Sequence, residues 1–354
     1  MKWLINLAVM AVAALVPCLI AEGALRVMAP PADTSDLWRK LGTAAEWSGQ
    51  PNGHGKQAGV PVSFNGFGFR DAERSPVPAP GTVRVLALGD SVTFGLGVAQ
   101  DQTFPRQTER LLNAAASRSS SGPVEVLNMG MPGYNTLHEL AQLRELGLSL
   151  QPKAVVVGFL YNDIELSSAQ KGEGAVQTQE RSFTREAKSG VNASWLWLKQ
   201  HSLFAAWLSP RLGNALRPLG VKGFGQVGEV KDQYVDSNPN WRRMQEALLE
   251  MKRLTAERNI ELVVMIIPAM AKFSDATYPI KEYHQAVAAF CHSNGIKVLD
   301  LLPAFWGGDG TQYWISATDG HPNAEGQKII AQALAGYLAP LLPSATLQMT
   351  GMTK

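Results

Sequence analysis

The tripeptide Gly-Asp-Ser at residues 89–91 follows directly on a short apolar run and is the first place in the sequence where chemistry is expected. The run at 83–88 has the composition of a strand that is buried on both faces. A serine at the carboxyl end of a parallel strand stands where open α/β sheets bind their ligands. Ser91 is therefore a candidate nucleophile, although Gly-Asp-Ser alone also fits an ordinary turn between a strand and a helix.

A serine hydroxyl needs a general base to act as a nucleophile, and His321 is the strongest candidate of the six histidines. The other five lie in a glycine-rich loop or within or beside predicted helices, where a packed or solvated histidine is the usual explanation: His54, His138, His201, His284 and His292. Pro322 suits the first position of the predicted closing helix, which would hold His321 at the entrance of that helix. Asp319 stands two residues before His321 and would fix its tautomer and stabilise the imidazolium.

Two other strand ends offer hydrogen-bond donors for a developing oxyanion. Gly133 follows the predicted second strand and precedes a helix, so its amide is expected to be free to donate. Asn162 follows the predicted third strand and carries a side-chain amide. An oxyanion hole needs two or three such donors aimed at one point. Each residue alone also fits a turn.

Nucleotide, nucleic-acid and metal chemistry are not expected. Gly95-Leu96-Gly97 is rich in glycine, but neither Gly-Lys-Ser/Thr nor the G-x-G-x-x-G spacing follows it. The net charge is +2, and the sequence contains no block of Lys and Arg and no zinc-type spacing. We therefore predict no nucleic-acid partner, no metal site and no cofactor.

Predicted strands and helices alternate from residue 81 to 345. The strands are expected at 83–88, 124–127, 154–160, 262–267 and 298–301, and the helices at 103–115, 136–148, 244–257, 283–293 and 325–342. This alternation indicates a parallel sheet that is covered by helices on both faces. The sequence thus predicts an α/β fold, a three-layer α/β/α sandwich with about five strands.

Three segments lie outside this pattern. Residues 1–27 include an uncharged run, Trp3 to Ala21, which is long enough to cross a bilayer, so a membrane anchor is favoured over a cleaved signal peptide. Residues 28–80 are rich in Pro, Gly and polar residues and are predicted to be a linker and an edge segment. Residues 165–239 interrupt the sheet as an insertion, with an aromatic cluster at 195–198, and a lid-like helical segment is the expectation.

Taken in order, Gly-Asp-Ser, Gly133, Asn162 and Asp-Gly-His-Pro-Asn resemble the four sequence blocks of SGNH (GDSL-like) hydrolases. The resemblance covers residues 83–340. It implies a flavodoxin-like fold, with Ser91 as the nucleophile and first oxyanion donor, Gly133 and Asn162 as further donors, and His321 as the general base. Residues 65–71, which include Arg70, are also similar to a segment of membrane-anchored bacterial members.

One position departs from the family pattern. The family places its aspartate three residues before the histidine, where this sequence has Thr318. Asp319 is then the expected third member of the triad, and Asp309 is a weaker substitute. The Ser91–His321 pair does not depend on this choice.

The sequence therefore predicts a serine ester hydrolase without a cofactor. The resemblance and the predicted anchor imply a single-pass protein of the bacterial inner membrane with a periplasmic catalytic domain, or a secreted enzyme after signal cleavage. The expected substrate is an acyl ester of envelope polysaccharide or lipid, or a smaller ester, with O-acetyl as the simplest acyl group. Two rivals stay open: an O-acyltransferase that uses the same residues, and a catalytically silent envelope scaffold or binding protein.

Overall fold

The computed structural model describes residues 2–28, 37–119, 122–167, 170, 202, 204–205, 208, 233–274, 278–316 and 319–342. Most of the predicted insertion at 165–239, its aromatic cluster and Thr318 lie outside the described residues. The chain divides into two compact units, Met1–Ala32 with Leu166–Gln226, and Asp33–Glu165 with Val227–Lys354. The five predicted site residues all belong to the second unit.

The first unit contains a long helix, α1 (Lys2–Met28), with Pro17 inside it. Within the part of the chain that the structure describes, no helix combines the length and the apolar character that a membrane crossing requires. The anchor at residues 1–27 stays a prediction from the sequence.

Two short antiparallel hairpins open the described part of the second unit: β1 (Trp38–Lys40) with β2 (Trp47–Gly49), and β3 (His54–Gln57) with β4 (Val60–Ser63). The sequence predicts loops at this place, because strands of three or four residues that mix glycine with polar residues give no clear alternation. The hairpins pack on the main domain. The rings of Trp38 and Phe64 lie 5.8 and 6.1 Å from the ring of Phe94.

The core of the second unit is a five-stranded, wholly parallel sheet made of β5 (Val83–Gly89), β6 (Val124–Asn128), β7 (Ala154–Phe159), β8 (Glu261–Ile266) and β9 (Lys297–Asp300). The strand order is β6-β5-β7-β8-β9, which is the flavodoxin order. Every residue of β5 and β7 is buried, as their continuous apolar runs predict. The strand order reverses between β5 and β7, and ligands of such sheets bind outside the carboxyl ends of the strands at that point.

Seven helices of the second unit are described: α2 (Ser91–Phe94), α3 (Phe104–Ser119), α4 (Thr136–Glu145), α5 (Pro239–Ala256), α6 (Lys281–Ser293), α7 (Leu302–Phe305) and α8 (Ala324–Leu338). Helix α3 packs against α8, and α4 packs against α5. Helix α5 buries Trp241, Met244, Leu248 and Met251, whose spacing of three and four residues defines one apolar face. The predicted three-layer α/β/α sandwich with five parallel strands is confirmed.

A third hairpin, which the sequence analysis missed, precedes α8. It consists of β10 (Trp314–Ser316) and β11 (Asp319–Pro322). The expectation that Pro322 is the first residue of the closing helix is wrong. Instead, the side chain of Asn323 accepts hydrogen bonds from the amides of Glu325 and Gly326, both at 3.1 Å, and caps the helix. An asparagine at this capping position satisfies two amides that the helix leaves unpaired.

A buried arginine joins the segment after the hairpins to the end of α2. Arg70 is 1% exposed, and its guanidinium donates to the carbonyls of Phe94 at 3.2 Å, Gly95 at 2.5 Å and Val98 at 2.5 Å. Burial lowers the pKa of Arg70 to about 10, which leaves the group charged at neutral pH. A cation at the carboxyl end of a helix also interacts favourably with the partial negative charge of the helix dipole there. Arg70 thus fixes the far end of the short helix that begins at Ser91.

We expect Arg70→Lys to lower the free energy of unfolding by roughly 2–4 kcal/mol, because lysine keeps the charge but lacks the planar fork that reaches three carbonyls. Urea unfolding followed by circular dichroism measures the change. Arg258→Lys, at an exposed position on the turn after α5, is the control and should leave the midpoint nearly unchanged. Equal midpoints for Arg70→Lys and wild type would contradict this role of Arg70.

Candidate active site

Ser91 is held at the end of β5 by a turn that requires glycine and is capped by aspartate. Gly89 has φ +152°, and a Cβ atom there would lie 2.0 Å from Oγ1 of Thr93, so no other residue fits without displacing Thr93. The carboxylate of Asp90 accepts the amide of Val92 at 2.9 Å and caps α2. Ser91 therefore becomes the first residue of the helix, at the carboxyl edge of the sheet.

His321 and Asp319 complete a continuous chain of hydrogen bonds with this serine. Nε2 of His321 lies 2.8 Å from Oγ of Ser91, and Nδ1 of His321 lies 2.5 Å from Oδ1 of Asp319. Because a carboxylate only accepts, Nδ1 carries the proton and donates it to Asp319. Nε2 is then left as the acceptor for the hydroxyl of Ser91, which is the arrangement that a general base needs.

The short spacing between acid and base follows from the strand on which they lie. Residues two apart in a strand point to the same face, and Asp319 and His321 both belong to β11. Oδ1 of Asp319 also accepts the backbone amide of His321 at 3.0 Å. The departure from the usual three-residue spacing is thus accommodated by extended backbone. Asp309, the weaker substitute, instead accepts the amide and the hydroxyl of Thr311.

The three predicted oxyanion donors lie at the carboxyl ends of neighbouring strands. The amide of Ser91 opens α2, and the amide of Gly133 lies in the loop after β6, where φ is +81°. Neither amide donates to another backbone or side-chain acceptor among the described residues. Asn162 follows β7, and its side-chain amide lies near the carboxyl group of Asp90, whose pKa it lowers. Since a side-chain amide has two N–H donors, one remains for a substrate.

Opposing effects set the pKa of the base and its partner. Burial alone would lower the pKa of His321, but the hydrogen bond and charge of Asp319, with the charge of Asp90, outweigh burial and raise it. Burial alone would raise the pKa of Asp319, but its hydrogen bonds and charge interaction with His321 lower it. The two side chains are 30% and 32% exposed, so this side of the site is open to solvent.

Buried polar contacts, which the sequence analysis did not identify, hold the hairpin and the serine turn together. Gln327 on α8 is fully buried. Its side chain accepts the amide of Phe104 at 2.7 Å and donates to the carbonyl of Val92 at 3.0 Å. Nε1 of Trp314 on β10 donates to the carbonyl of Met270 at 2.5 Å. A glutamine within an amphipathic helix gives no sequence signal for such a role, because glutamine is equally common on solvated faces.

With this geometry in place, the comparison with protein families is decisive. The model of the GDSL-like lipase/acylhydrolase family matches residues 87–329, well over half of the 354-residue chain. The chain belongs to this family. It is accordingly an enzyme that acts on ester bonds, and the resemblance noted in the sequence is confirmed.

Individual relatives of this GDSL-like chain are distant. No curated protein matches it. Similar solved structures include TesA, with 15% identity, a TM-score of 0.42 and coverage of 73% of this chain and 99% of that one. Another is the acetylxylan esterase Axe2 from Geobacillus stearothermophilus, with 13% identity, a TM-score of 0.43 and coverage of 71% and 92%. A third is the acetyl xylan esterase AlAXEase, with 13% identity, a TM-score of 0.43 and coverage of 72% and 100%. None of these likenesses carries an argument about the substrate.

Three carboxyl groups of this GDSL-like enzyme lie fully buried near the site. Asp90, Glu139 and Asp163 are each 0% exposed. Both carboxyl oxygens of Glu139 and one of Asp163 have no hydrogen-bond partner among the described residues. Burial and then the charge of Asp90 hold the pKa of Glu139 well above its usual value, and burial, Glu139 and Asp90 do the same for Asp163.

Of the three groups, Asp90 is the one that carries negative charge. Burial raises the pKa of Asp90, but the amide of Val92, which donates to it at 2.9 Å, and the charge of His321 lower that pKa and favour the ionised form. A buried carboxylate without donors is strongly disfavoured, so Glu139 is neutral at neutral pH. The described residues contain no group of three or more His, Cys, Asp or Glu arranged to hold a metal ion.

The raised pKa of His321 predicts how activity depends on pH. The base must be neutral, so kcat/KM should rise with pH through a midpoint above the ordinary histidine value of about 6.5. In Asp319→Asn the midpoint should move to lower pH, because the main cause of the upward shift is gone, and kcat should fall by roughly 100-fold or more. Hydrolysis of p-nitrophenyl acetate across pH 5–9 measures both. Asp309→Asn is the control, and equal midpoints for wild type and Asp319→Asn would contradict this dependence.

The neutral state of Glu139 predicts how stability depends on pH. A carboxyl group whose pKa is raised in the folded state favours folding fully below its unfolded pKa, near 4.5, and this contribution is lost as pH rises toward the folded pKa. Glutamine does not ionise, so Glu139→Gln should gain on wild type above pH 4.5, by at most about 1.4 kcal/mol per pH unit. Urea unfolding at pH 4, 6 and 8 tests this. For the control Glu246→Gln, at an exposed position on α5, the difference from wild type should not vary with pH; a pH-independent difference for Glu139→Gln would refute the neutral state.

Proposed function

We propose that the protein is a serine esterase in which Ser91 is the nucleophile, His321 the general base and Asp319 the residue that orients and stabilises the base. The observation that carries the proposal is the chain of hydrogen bonds from Ser91 Oγ through the His321 ring to Asp319, at 2.8 and 2.5 Å. The 2.8 Å distance between Ser91 and His321 lies within the range at which a proton is transferred between nucleophile and base.

The first half of the reaction forms an acyl-enzyme. Oγ of Ser91 attacks the carbonyl carbon of the ester while Nε2 of His321 takes the hydroxyl proton. The tetrahedral intermediate then breaks its bond to the alkoxy oxygen, and His321 returns the proton to that oxygen, so that the alcohol leaves neutral. In the second half, water gives its proton to His321 and attacks the acyl carbon, and Ser91 is released with its proton restored.

The charge distribution favours this sequence of steps. The amides of Ser91 and Gly133 and the second N–H of Asn162 supply donors for the oxyanion. The negative charge of Asp319 stabilises the imidazolium that forms on His321. The negative charge of Asp90 also raises the pKa of His321 and so favours its protonated form. Asp319 thus fixes the tautomer of the base, and Asp90 caps the turn that carries the nucleophile.

For the substrate we propose an O-acyl ester of a carbohydrate or lipid of the bacterial envelope, with O-acetyl as the simplest acyl group. The open side of the site, where His321 and Asp319 are about one-third exposed, leaves space for a large alcohol. The envelope part of the proposal rests on the uncharged run from Trp3 to Ala21. The periplasmic location and the N-terminal anchor stay predictions from the sequence.

Labelling of the full-length protein with a fluorophosphonate, read by intact mass, tests the nucleophile. Wild type should gain one adduct, and Ser91→Ala should gain none. His321→Ala should react at least about 100-fold more slowly, since a positioned base contributes 100-fold or more. Ser149→Ala, at an exposed position beyond α4, is the matched control and should label like wild type.

Two outcomes would change the assignment. A folded wild type that forms no adduct would count against esterase and transferase alike and would favour the scaffold reading. An adduct combined with release of acetate that falls when a sugar acceptor is added, with acetylated sugar appearing instead, would favour the O-acyltransferase.

A further inference from the structure

The amide of Gly133, one of the proposed oxyanion donors, has an aromatic neighbour from a distant part of the chain. A Cβ atom built on Gly133 would lie 3.6 Å from Cζ2 of Trp47, which is the only contact within 4 Å at that position among the described residues. Trp47 is the first residue of β2 and is half-buried. The outer edge of the Trp47 indole ring therefore lies within van der Waals distance of the space beside Gly133.

The main chain and the ring of Trp47 are both fixed against the start of α4. The hydroxyl of Tyr134 donates to the carbonyl of Trp47. The Trp47 ring packs edge-on against the Tyr134 ring at 5.2 Å and at a tilt against the His138 ring at 4.8 Å. Tyr134 and His138 are in turn stacked at 4.9 Å. This three-ring cluster holds the indole in one orientation, as close-packed aromatic groups do.

The turn before Trp47 is tied to the same helix. Glu46 has φ +63°, a left-handed conformation that is unfavourable for a residue with a side chain. Its carboxylate lies 3.2 Å from Nε2 of His138. Nδ1 of His138 accepts the amide of Asn135 at 3.2 Å, so Nε2 carries the proton and donates to Glu46. The buried His138 thus stabilises the strained turn at Glu46, and this turn positions Trp47.

The direction of attack decides which part of a substrate meets this ring. The tetrahedral carbon carries Oγ of Ser91, the oxyanion, the alkoxy oxygen and the acyl substituent. The alkoxy oxygen must face Nε2 of His321, which returns the proton, and His321 reaches Ser91 from hairpin β10–β11. Trp47 reaches the oxyanion donor Gly133 from hairpin β1–β2. The acyl chain is the remaining substituent, which neither the oxyanion donors nor His321 bind, and Trp47 bounds the space beside one of those donors.

We propose that Trp47 is a specificity-determining residue that closes the acyl side of the site and restricts it to short acyl groups such as acetyl. The inference rests on the proposed serine esterase and adds to it the identity of the acyl class. A fixed indole ring occupies volume that a longer chain would need, and interiors packed by aromatic rings yield only at a cost in free energy. Hairpin β1–β2, which lies outside the four sequence blocks of the family, thereby takes part in the selection of the substrate.

The test uses the full chain and p-nitrophenyl acetate, butyrate and hexanoate, which share one alcohol and differ only in the acyl chain. Trp47→Phe removes Cζ2 and keeps an aromatic ring against Tyr134, and Trp47→Ala removes the ring altogether. The ratio of kcat/KM for butyrate and hexanoate to that for acetate should rise about 10-fold or more in Trp47→Ala, and less in Trp47→Phe, because each added methylene changes binding in a pocket by roughly 10-fold or more.

Trp38→Ala is the matched control, since it removes an equally large ring from the same hairpin but one that packs on Phe64 and Phe94. Its ratio should equal that of wild type, which separates loss of the Trp47 ring from loosening of the hairpin. Thermal unfolding verifies that each variant is folded, and Trp47→Phe carries the test if Trp47→Ala does not fold.

Unchanged ratios in folded Trp47 variants would overturn the inference and leave the esterase intact. So would a change confined to the alcohol, seen when acetylated sugars are compared with p-nitrophenyl acetate, since the ring would then face the leaving group. A wild type that hydrolyses none of the three esters and takes no fluorophosphonate would overturn the esterase and the inference together.

Discussion

The hydrogen bond between Ser91 and His321 is the constraint on which the arrangement of this protein depends. The two residues are 230 positions apart, and they meet because the first strand of the sheet and the last hairpin are brought to the same edge. Gln327 ties α8 to the carbonyl of Val92, and Trp314 ties the hairpin to the loop after β8. Arg70 donates to the carbonyls at the carboxyl end of α2, the helix that begins at Ser91. These polar contacts are buried or partly buried and costly to break, and together they limit the distance between Ser91 and His321.

The carboxyl groups near the site differ in charge according to the hydrogen-bond donors that they have. Asp90 and Asp319 both have donors, and both bear on the same imidazole. Glu139 and Asp163 are equally buried but lack donors for all their oxygens, and burial holds the pKa of each well above its usual value. An additional buried charge near the oxyanion donors would oppose the charge that develops in the transition state. The neutral carboxyl group of Glu139 adds no such charge.

The sheet and the candidate site residues could be predicted from the sequence because their signals are local. Continuous apolar runs identify β5 and β7. Gly-Asp-Ser stands at the end of β5, and His-Pro-Asn stands where β11 meets α8. The hairpins were not predictable, since strands of three or four residues bury too little to show a period. Pro322 was placed in the helix because its ring suits a first turn, whereas the capping side chain of Asn323 sets the actual start. The contacts of Trp47 and Gln327 depend on residues far away in sequence, which no local pattern reveals.

Asp319 and His321 share one short strand, and this has a kinematic consequence. Any displacement of hairpin β10–β11 moves acid and base as one body, so the distance between them and the tautomer they fix are preserved. Only the gap to Ser91 changes. The hydrogen bond between Ser91 and His321 thus depends on one variable, the distance of hairpin β10–β11 from the carboxyl edge of the sheet. It does not depend on the independent alignment of three side chains.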